Sequence, residues 1–224
     1  MHLSKNRKKQ IEGIDFNKSY SVNDAIKLLK EKKFVKFDES VEVSINTGID
    51  SKQSDQNVRG SFVPPHGLGK KVDIAVFAQG KSAEEAKSLG VKKVGGEDLV
   101  LALQEKIDVD VIIATPDMMS VVSKIAKVLG PKGLMPNPKT GTVTNDVKST
   151  IQNINKGLVA YKNDKAGTIH AALGKISFDE NHLNENINSF IEEIKKIKPS
   201  GVKGNFINSI FISSTMGFGL KVEV

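Results

Sequence analysis

The sequence predicts a discontinuous α+β domain, an antiparallel sheet with two helices built from both chain ends, carrying an inserted three-layer α/β domain. Three observations lead there. Near both ends, apolar and polar residues alternate with period two, as in Val41, Val43 and Ile45 against Glu42, Ser44 and Asn46, which is the pattern of strands buried on one face. In the middle, residues 72–78 and 109–114 are unbroken apolar runs that take turns with helical segments, the pattern of a parallel sheet buried on both faces. Neither end alone holds enough elements to close a core. The predicted terminal domain is 1–67 with 161–224, and the predicted insert is 68–160.

The elements follow in order. Lys5, Asn6, Arg7, Lys8 and Lys9 form a basic cluster with nothing apolar to fold it, so a solvated, flexible arm is expected. Ser21 with Asp24 makes a capping box ahead of Val22, Ala25, Ile26, Leu28 and Leu29, and the helix it starts runs to about Lys32. A half-buried strand spans 37–46, and a second spans 58–63 before Pro64-Pro65. Residues 64–71 are too rich in Pro and Gly for regular structure and read as a crossing between domains. In the insert, helices are expected over 83–89 and 96–105, then from Pro116 through Leu129, stopped by Gly130, and from the Asp146 cap to about Lys156. Residues 158–162 and 168–178 look like a hairpin, and Asp179 begins a long amphipathic helix carrying Leu183, Ile187, Phe190, Ile191, Ile194 and Ile197, stopped by Pro199. A strand through 205–214 and a last one over 219–224 complete the sheet.

Composition narrows the function. The 224 residues include no Cys, which excludes disulfides and thiolate metal sites, and no apolar run approaches the roughly 20 residues of a membrane span. The start, 1–12, lacks an apolar signal core, so a cytoplasmic protein with no membrane partner is expected. The net charge of +7 points to a polyanionic partner. Arg7 and Arg59 are the only Arg residues, so phosphate and shape recognition by Lys fits better than base reading by guanidinium forks.

Enzyme chemistry finds no foothold. Gly69-Lys70 is followed by Lys71, with Pro64 where a phosphate-cradling loop needs its first Gly. Gly95-Gly96 follows a short strand and Gly130-Pro131-Lys132-Gly133 a helix, the wrong setting for a dinucleotide fingerprint. His2, His66, His170 and His182 are scattered singly, and no Ser sits in a nucleophile elbow. No cofactor is expected. The competing readings are a nucleotide-binding enzyme using the inserted α/β domain and a general basic chaperone or membrane-surface protein that would bind duplex DNA, anionic lipid and RNA alike.

The most informative stretch is 205–217. Phe206, Asn208, Ile210 and Ile212 share one face, and Ile207, Ser209, Phe211 and Ser213 the other, giving a strand with an oily side and a hydroxyl-bearing side. At its end Thr215-Met216-Gly217 sets a hydroxyl, an unbranched side chain and bare backbone side by side, parts suited to a sugar-phosphate edge. An ordinary strand end is the alternative. Residues 130–142 form a loop with three Pro and three Gly, dictated enough to hold one shape.

That loop, with Arg59-Gly60, Pro65-His66-Gly67-Leu68-Gly69-Lys70 and the stretch from Ser209 through Gly217, resembles the bacterial ribosomal protein L one family over essentially the whole chain. The resemblance implies two domains joined by a two-stranded hinge. It also implies a structural protein, not an enzyme, that binds the large-subunit rRNA stalk beside the tRNA exit site. Further partners it implies are exit-site tRNA, whose deacylated form it helps release, and its own operon mRNA, whose translation it represses; off the ribosome it is a monomer. The family's RNA-binding positions fall on Lys36, Phe37, Ser40, Glu42, Lys165, Gly167, His170, Ser209, Thr215, Met216 and Gly217. In that role the hydroxyls of Ser40, Ser209 and Thr215 bond 2′-hydroxyls and phosphates, Glu42 accepts, Phe37 and Met216 pack on sugars, and Lys36 and Lys165 supply charge. His170 has the alternative of a satisfied strand residue. Two departures stand out: Pro64 where Leu is usual, which stiffens the chain, and Phe218 where Pro is usual, which loosens the exit from Gly217.

Overall fold

The computed structural model describes residues 5–105, 107–202 and 204–223, with both α-helices and β-strands. His2 and Val224 lie outside the described residues, as do the side chains of Lys5, Asn6 and Lys9. In chain order the elements are α1 (Lys5–Ile11), α2 (Val22–Glu31), β1 (Ser40–Thr47), β2 (Arg59–Phe62), β3 (Ile74–Phe77), α3 (Lys81–Ser88), β4 (Lys93–Gly95) and α4 (Glu97–Glu105). Then follow β5 (Val111–Ala114), α5 (Met119–Ser123), α6 (Ala126–Leu129), α7 (Val147–Asn155), β6 (Val159–Lys162), β7 (Thr168–Lys175), α8 (Glu180–Lys196), β8 (Ile207–Ser214) and β9 (Leu220–Val222). The chain divides into two compact units, 1–69 with 159–224, and 70–158.

The first unit is built on an antiparallel sheet ordered β7-β1-β8-β9. Alternation decides its faces: Val41, Val43 and Ile45 of β1, Ile169, Ala171 and Leu173 of β7, and Ile210 and Ile212 of β8 are buried. They pack on the apolar stripes of α2 and α8, including Ile26, Leu29, Leu183, Ile187 and Phe190. Ser21 caps α2 by accepting from the Asp24 amide at 3.2 Å, and Asp179 caps α8 by accepting from the Glu180 amide at 2.9 Å. On the opposite face the residues of β1 and β8 are half-buried or exposed.

Three expectations fail in this unit. Residues 5–11 are a helix, not a flexible arm; its Gln10 is buried and Ile11 packs on the core, so the apolar contact that the local sequence lacks is supplied from elsewhere in the chain. Residues 158–178 are not a regular hairpin: β6 pairs with β2 and β7 with β1, and the two arms meet at the turn, through the Asn163–Ile169 bridge and the Asp164 amide donating to Thr168 O at 2.8 Å. Asn163 separates them, since its buried amide accepts from the Val58 amide at 2.9 Å and donates to Asn57 Oδ1 at 3.1 Å. Phe218 does not loosen the chain. It is 2% exposed and meets Phe16 edge-on at 6.2 Å, an anchor where the sequence suggested slack.

The second unit holds a parallel sheet ordered β4-β3-β5. Successive residues of β3 enter different cores: Ala75 and Phe77 join α4 and α5, while Ile74 and Val76 join α7 and Ala86 of α3. The helix expected over 116–129 is broken into a 3-10 turn, α5 and α6. At the break, Lys124 and Ile125 donate to carbonyls three residues back, in a segment crowded with the β-branched Val121, Val122 and Ile125. The loop over 130–142 is tied internally: the Asn137 amide donates to Thr142 Oγ1 at 2.8 Å and the Lys139 amide to Asn137 Oδ1 at 2.8 Å. It then re-enters the sheet, where Ala114 donates to Thr142 O at 3.0 Å.

Candidate nucleic-acid interface

The interface begins where β1 starts and β8 ends. Antiparallel pairing sets Val41 opposite Ser214, so Ser40 and Thr215 meet just beyond the ladder. The Ser40 amide donates to Thr215 Oγ1 at 3.0 Å, the Thr215 amide to Ser40 O at 3.1 Å, and the Thr215 hydroxyl to Ser40 O at a longer 3.4 Å. Residues 175 positions apart thus form one rim. Lys175, opposite Ser40 on the other neighbour, donates to Ser40 Oγ at 2.9 Å. Asp38 fixes the approach to β1 by accepting from the Ser177 amide and hydroxyl. On this scaffold Phe37 and Met216 stand 50% and 48% exposed, and Lys36 is exposed next to Phe37.

The turn after β8 is braced from within. Glu39 is 1% exposed and accepts from the Met216 amide at 2.9 Å. Arg7 Nη1 donates to Met216 O at 3.0 Å and Gly217 O at 2.8 Å. The Gly217 amide donates to Ser214 O at 3.0 Å, so the backbone there is not bare: its polar groups are used inside the protein. What requires Gly is space, because a Cβ at 217 would lie 2.2 Å from Ser214 Oγ. Thr215 and Met216 side chains are what this turn offers outward.

The eleven sequence candidates do not form one cluster. Lys36, Phe37, Ser40, Glu42, Thr215, Met216 and Gly217 gather at the rim, whereas Ser209, Lys165 and Gly167 lie at the far end of the sheet. Asn46, the partner of Ser209, lies six steps along β1 from Ser40, a distance of about 20 Å. Gly167, at φ 80°, is buried and its carbonyl accepts from Thr47 N and Oγ1, leaving Lys165 exposed at the tip. Asp164 orders that tip. Its carboxyl is held below the usual range first by the Thr168 amide, then by the Ala166 amide and His170. His170 lies on the open face between the ends, its Nδ1 3.0 Å from Ser44 Oγ.

Comparison with known proteins decides the family. A sequence profile described as the Ribosomal protein L1p/L10e family matches residues 29–218. The chain belongs to that family. It is 51% identical over 223 residues to the large ribosomal subunit protein uL1 of Ruthia magnifica subsp. Calyptogena magnifica, covering 99% of this chain and 96% of that one. It is 52% identical over 212 residues to the uL1 protein of Thermosipho africanus, covering 94% and 91%. Against the uL1 protein of Coxiella burnetii the identity is 50% over 222 residues, covering 99% and 96%. These are names of ribosomal proteins and not of enzymes.

Membership also frames what sequence reasoning missed. Glu39, Lys175 and Arg7 are not among the eleven sequence candidates. Glu39 carried a readable signal: it shares the parity of Val41, Val43 and Ile45, and a carboxylate on a buried face requires a partner. Folding also stacks His66 on His182 at 4.1 Å, a pair invisible in the sequence. Among the described residues no group of three or more His, Cys, Asp or Glu is placed to hold a metal ion, and no helix is long and apolar enough to cross a membrane.

Proposed function

We propose that this chain is a structural protein of the large ribosomal subunit in the cytoplasm, binding the folded rRNA stalk beside the tRNA exit site through the rim of its four-stranded sheet. The observation that carries it is the Ser40–Thr215 clasp, which sets hydroxyls from both chain ends beside exposed Phe37 and Met216. The 3.4 Å donation from Thr215 is the weakest bond of the clasp and the one a phosphate or 2′-hydroxyl takes over. Phe37 and Met216 pack on sugar faces, Glu42 accepts from a 2′-hydroxyl or base amine, and Lys36 supplies charge. Lys165, His170 and Ser209 extend the contact along the open face to the far end, and Gly167 shapes the turn that presents Lys165.

In this reading residues 1–67 with 161–224 are the RNA-binding domain and 68–160 an inserted domain whose movement accompanies release of deacylated tRNA. The same patch reads a stalk-like fold in the operon mRNA and represses its translation, and off the ribosome the protein is a monomer. The relatives named as large-subunit proteins support the reading. The test is a gel shift with a folded rRNA stalk fragment. Wild type binds it in strong preference to duplex DNA, Thr215→Ala binds about tenfold more weakly and Met216→Asp more weakly still. Equal binding by all three proteins overturns the assignment, and tight nucleotide binding in equilibrium dialysis overturns the ranking against an enzyme.

A further inference from the structure

The open face of the four-stranded sheet is mostly polar, and Phe211 is the large ring at its centre. Across β7, β1, β8 and β9 a single row reads His170, Ser44, Phe211, Lys221, each opposite the next. The rows on either side bring Ala172, Glu42 and Ser213, and Thr168, Asn46 and Ser209. Phe211 is therefore a ring ringed by hydroxyls, 39% exposed. It contributes nothing to the core, since Ile210 and Ile212 on either side supply the buried face of β8. Strand propensity favours an aromatic residue here without explaining its position. The position coincides with the candidate RNA contacts: Ser209 is two residues away on the same strand, and His170 lies two strands over, about 10 Å away.

We propose that Phe211 is a stacking residue of the RNA interface, taking an unpaired nucleobase on its ring while Lys221, one strand over, meets the adjoining phosphate. This rests on the reading of the sheet rim as an RNA site and extends it inward from the rim. Every base has a π-face, so the contact requires only a nucleotide free of its helix. Ser44, Ser209 and Ser213 flank the ring with donors and acceptors for the base edge or the 2′-hydroxyl. Continuity with the rim and the cation at its edge select RNA as the occupant.

The chain contains no Trp, so Phe211→Trp gives a single indole reporter. Titrated with the folded rRNA stalk fragment, that variant binds within a fewfold of wild type and its emission is quenched. Leu101→Trp, at a 65% exposed position on α4, stays bright. Phe211→Ala keeps the urea midpoint of wild type and binds roughly tenfold more weakly, with an unchanged salt slope, because stacking and not charge is lost. Equal affinity of Phe211→Ala and wild type, or equal quenching at 211 and 101, overturns the proposal. Thr215→Ala separates the two claims: if it weakens binding while Phe211→Ala does not, stacking alone fails; if neither matters, the rim reading fails with it.

Discussion

The two sheets of this protein differ in how many faces they bury, and their sequences differ in the same way. In the terminal unit only one residue in two along β1 is buried, while in the other unit all of β3 is. An antiparallel sheet with one free face can present side chains in fixed register, six residues spanning about 20 Å, without loops. A parallel sheet covered twice has no such surface. The candidate interface lies on the first kind of sheet because only there does the backbone place polar side chains on a rigid, solvated plane.

The sharpest break of this comparison is a charge scan. In β5, Ile112→Asp and Ile113→Asp are both expected to destabilise by about 3 kcal/mol or more, since these neighbours, 1% and 0% exposed, face different cores. In β1, Val43→Asp does the same but Ser44→Asp changes stability by no more than about 0.5 kcal/mol. Urea unfolding of the four variants checks this; a tolerated charge at both 112 and 113 breaks the contrast.

A second effect concerns the turn at the rim. Gly217→Ala is expected to cost about 1–3 kcal/mol, because the new methyl collides with Ser214 Oγ. Adding Ser214→Ala returns part of that loss, and thermal unfolding of the single and double variants measures it. Arg7→Ala is expected to cost about 1 kcal/mol by leaving the Met216 and Gly217 carbonyls without their donor, with weaker RNA binding as a further consequence. Arg7→Lys, a point charge with no fork, does not restore the RNA affinity in the same gel shift.

The helix caps were legible because their chemistry is local: Ser21, Asp146 and Asp179 each bond an amide within three residues. The faces of β1 and β8 were legible because period two is a property of the chain itself. Asn208 is the exception, exposed though it shares parity with Ile210, at the point where the β1–β8 register slips. What was not legible depends on distant partners. Helix α1 has no apolar run of its own, and its Arg7 bonds carbonyls 209 and 210 residues away. The break over 124–125 escaped because periodicity reports which residues are buried and not which carbonyl each amide reaches. Within the candidate site, the sequence named side chains that face outward, Thr215 and Met216, and passed over Glu39, which accepts from the Met216 amide, and Lys175, which donates to Ser40 Oγ.

The smallest effect is a pH response at the far end. Asp164 has its carboxyl lowered in the folded protein, so the bonds it accepts favour folding above the ordinary carboxylate range and are lost as pH falls through the lowered value. The amide signals of Ala166 and Thr168 should hold steady down to about pH 4 and shift below it, since an unperturbed Asp titrates near 3.9. Movement of those signals between pH 6 and 5 contradicts this.

Amide chemical-shift mapping during titration with the folded rRNA stalk fragment tests the central claim most directly. The largest changes are expected at Phe37, Ser40, Thr215 and Met216, continuing over Ser44 and Phe211. Changes concentrated in residues 70–158, with Ser40 and Thr215 unmoved, would contradict an interface on the open sheet.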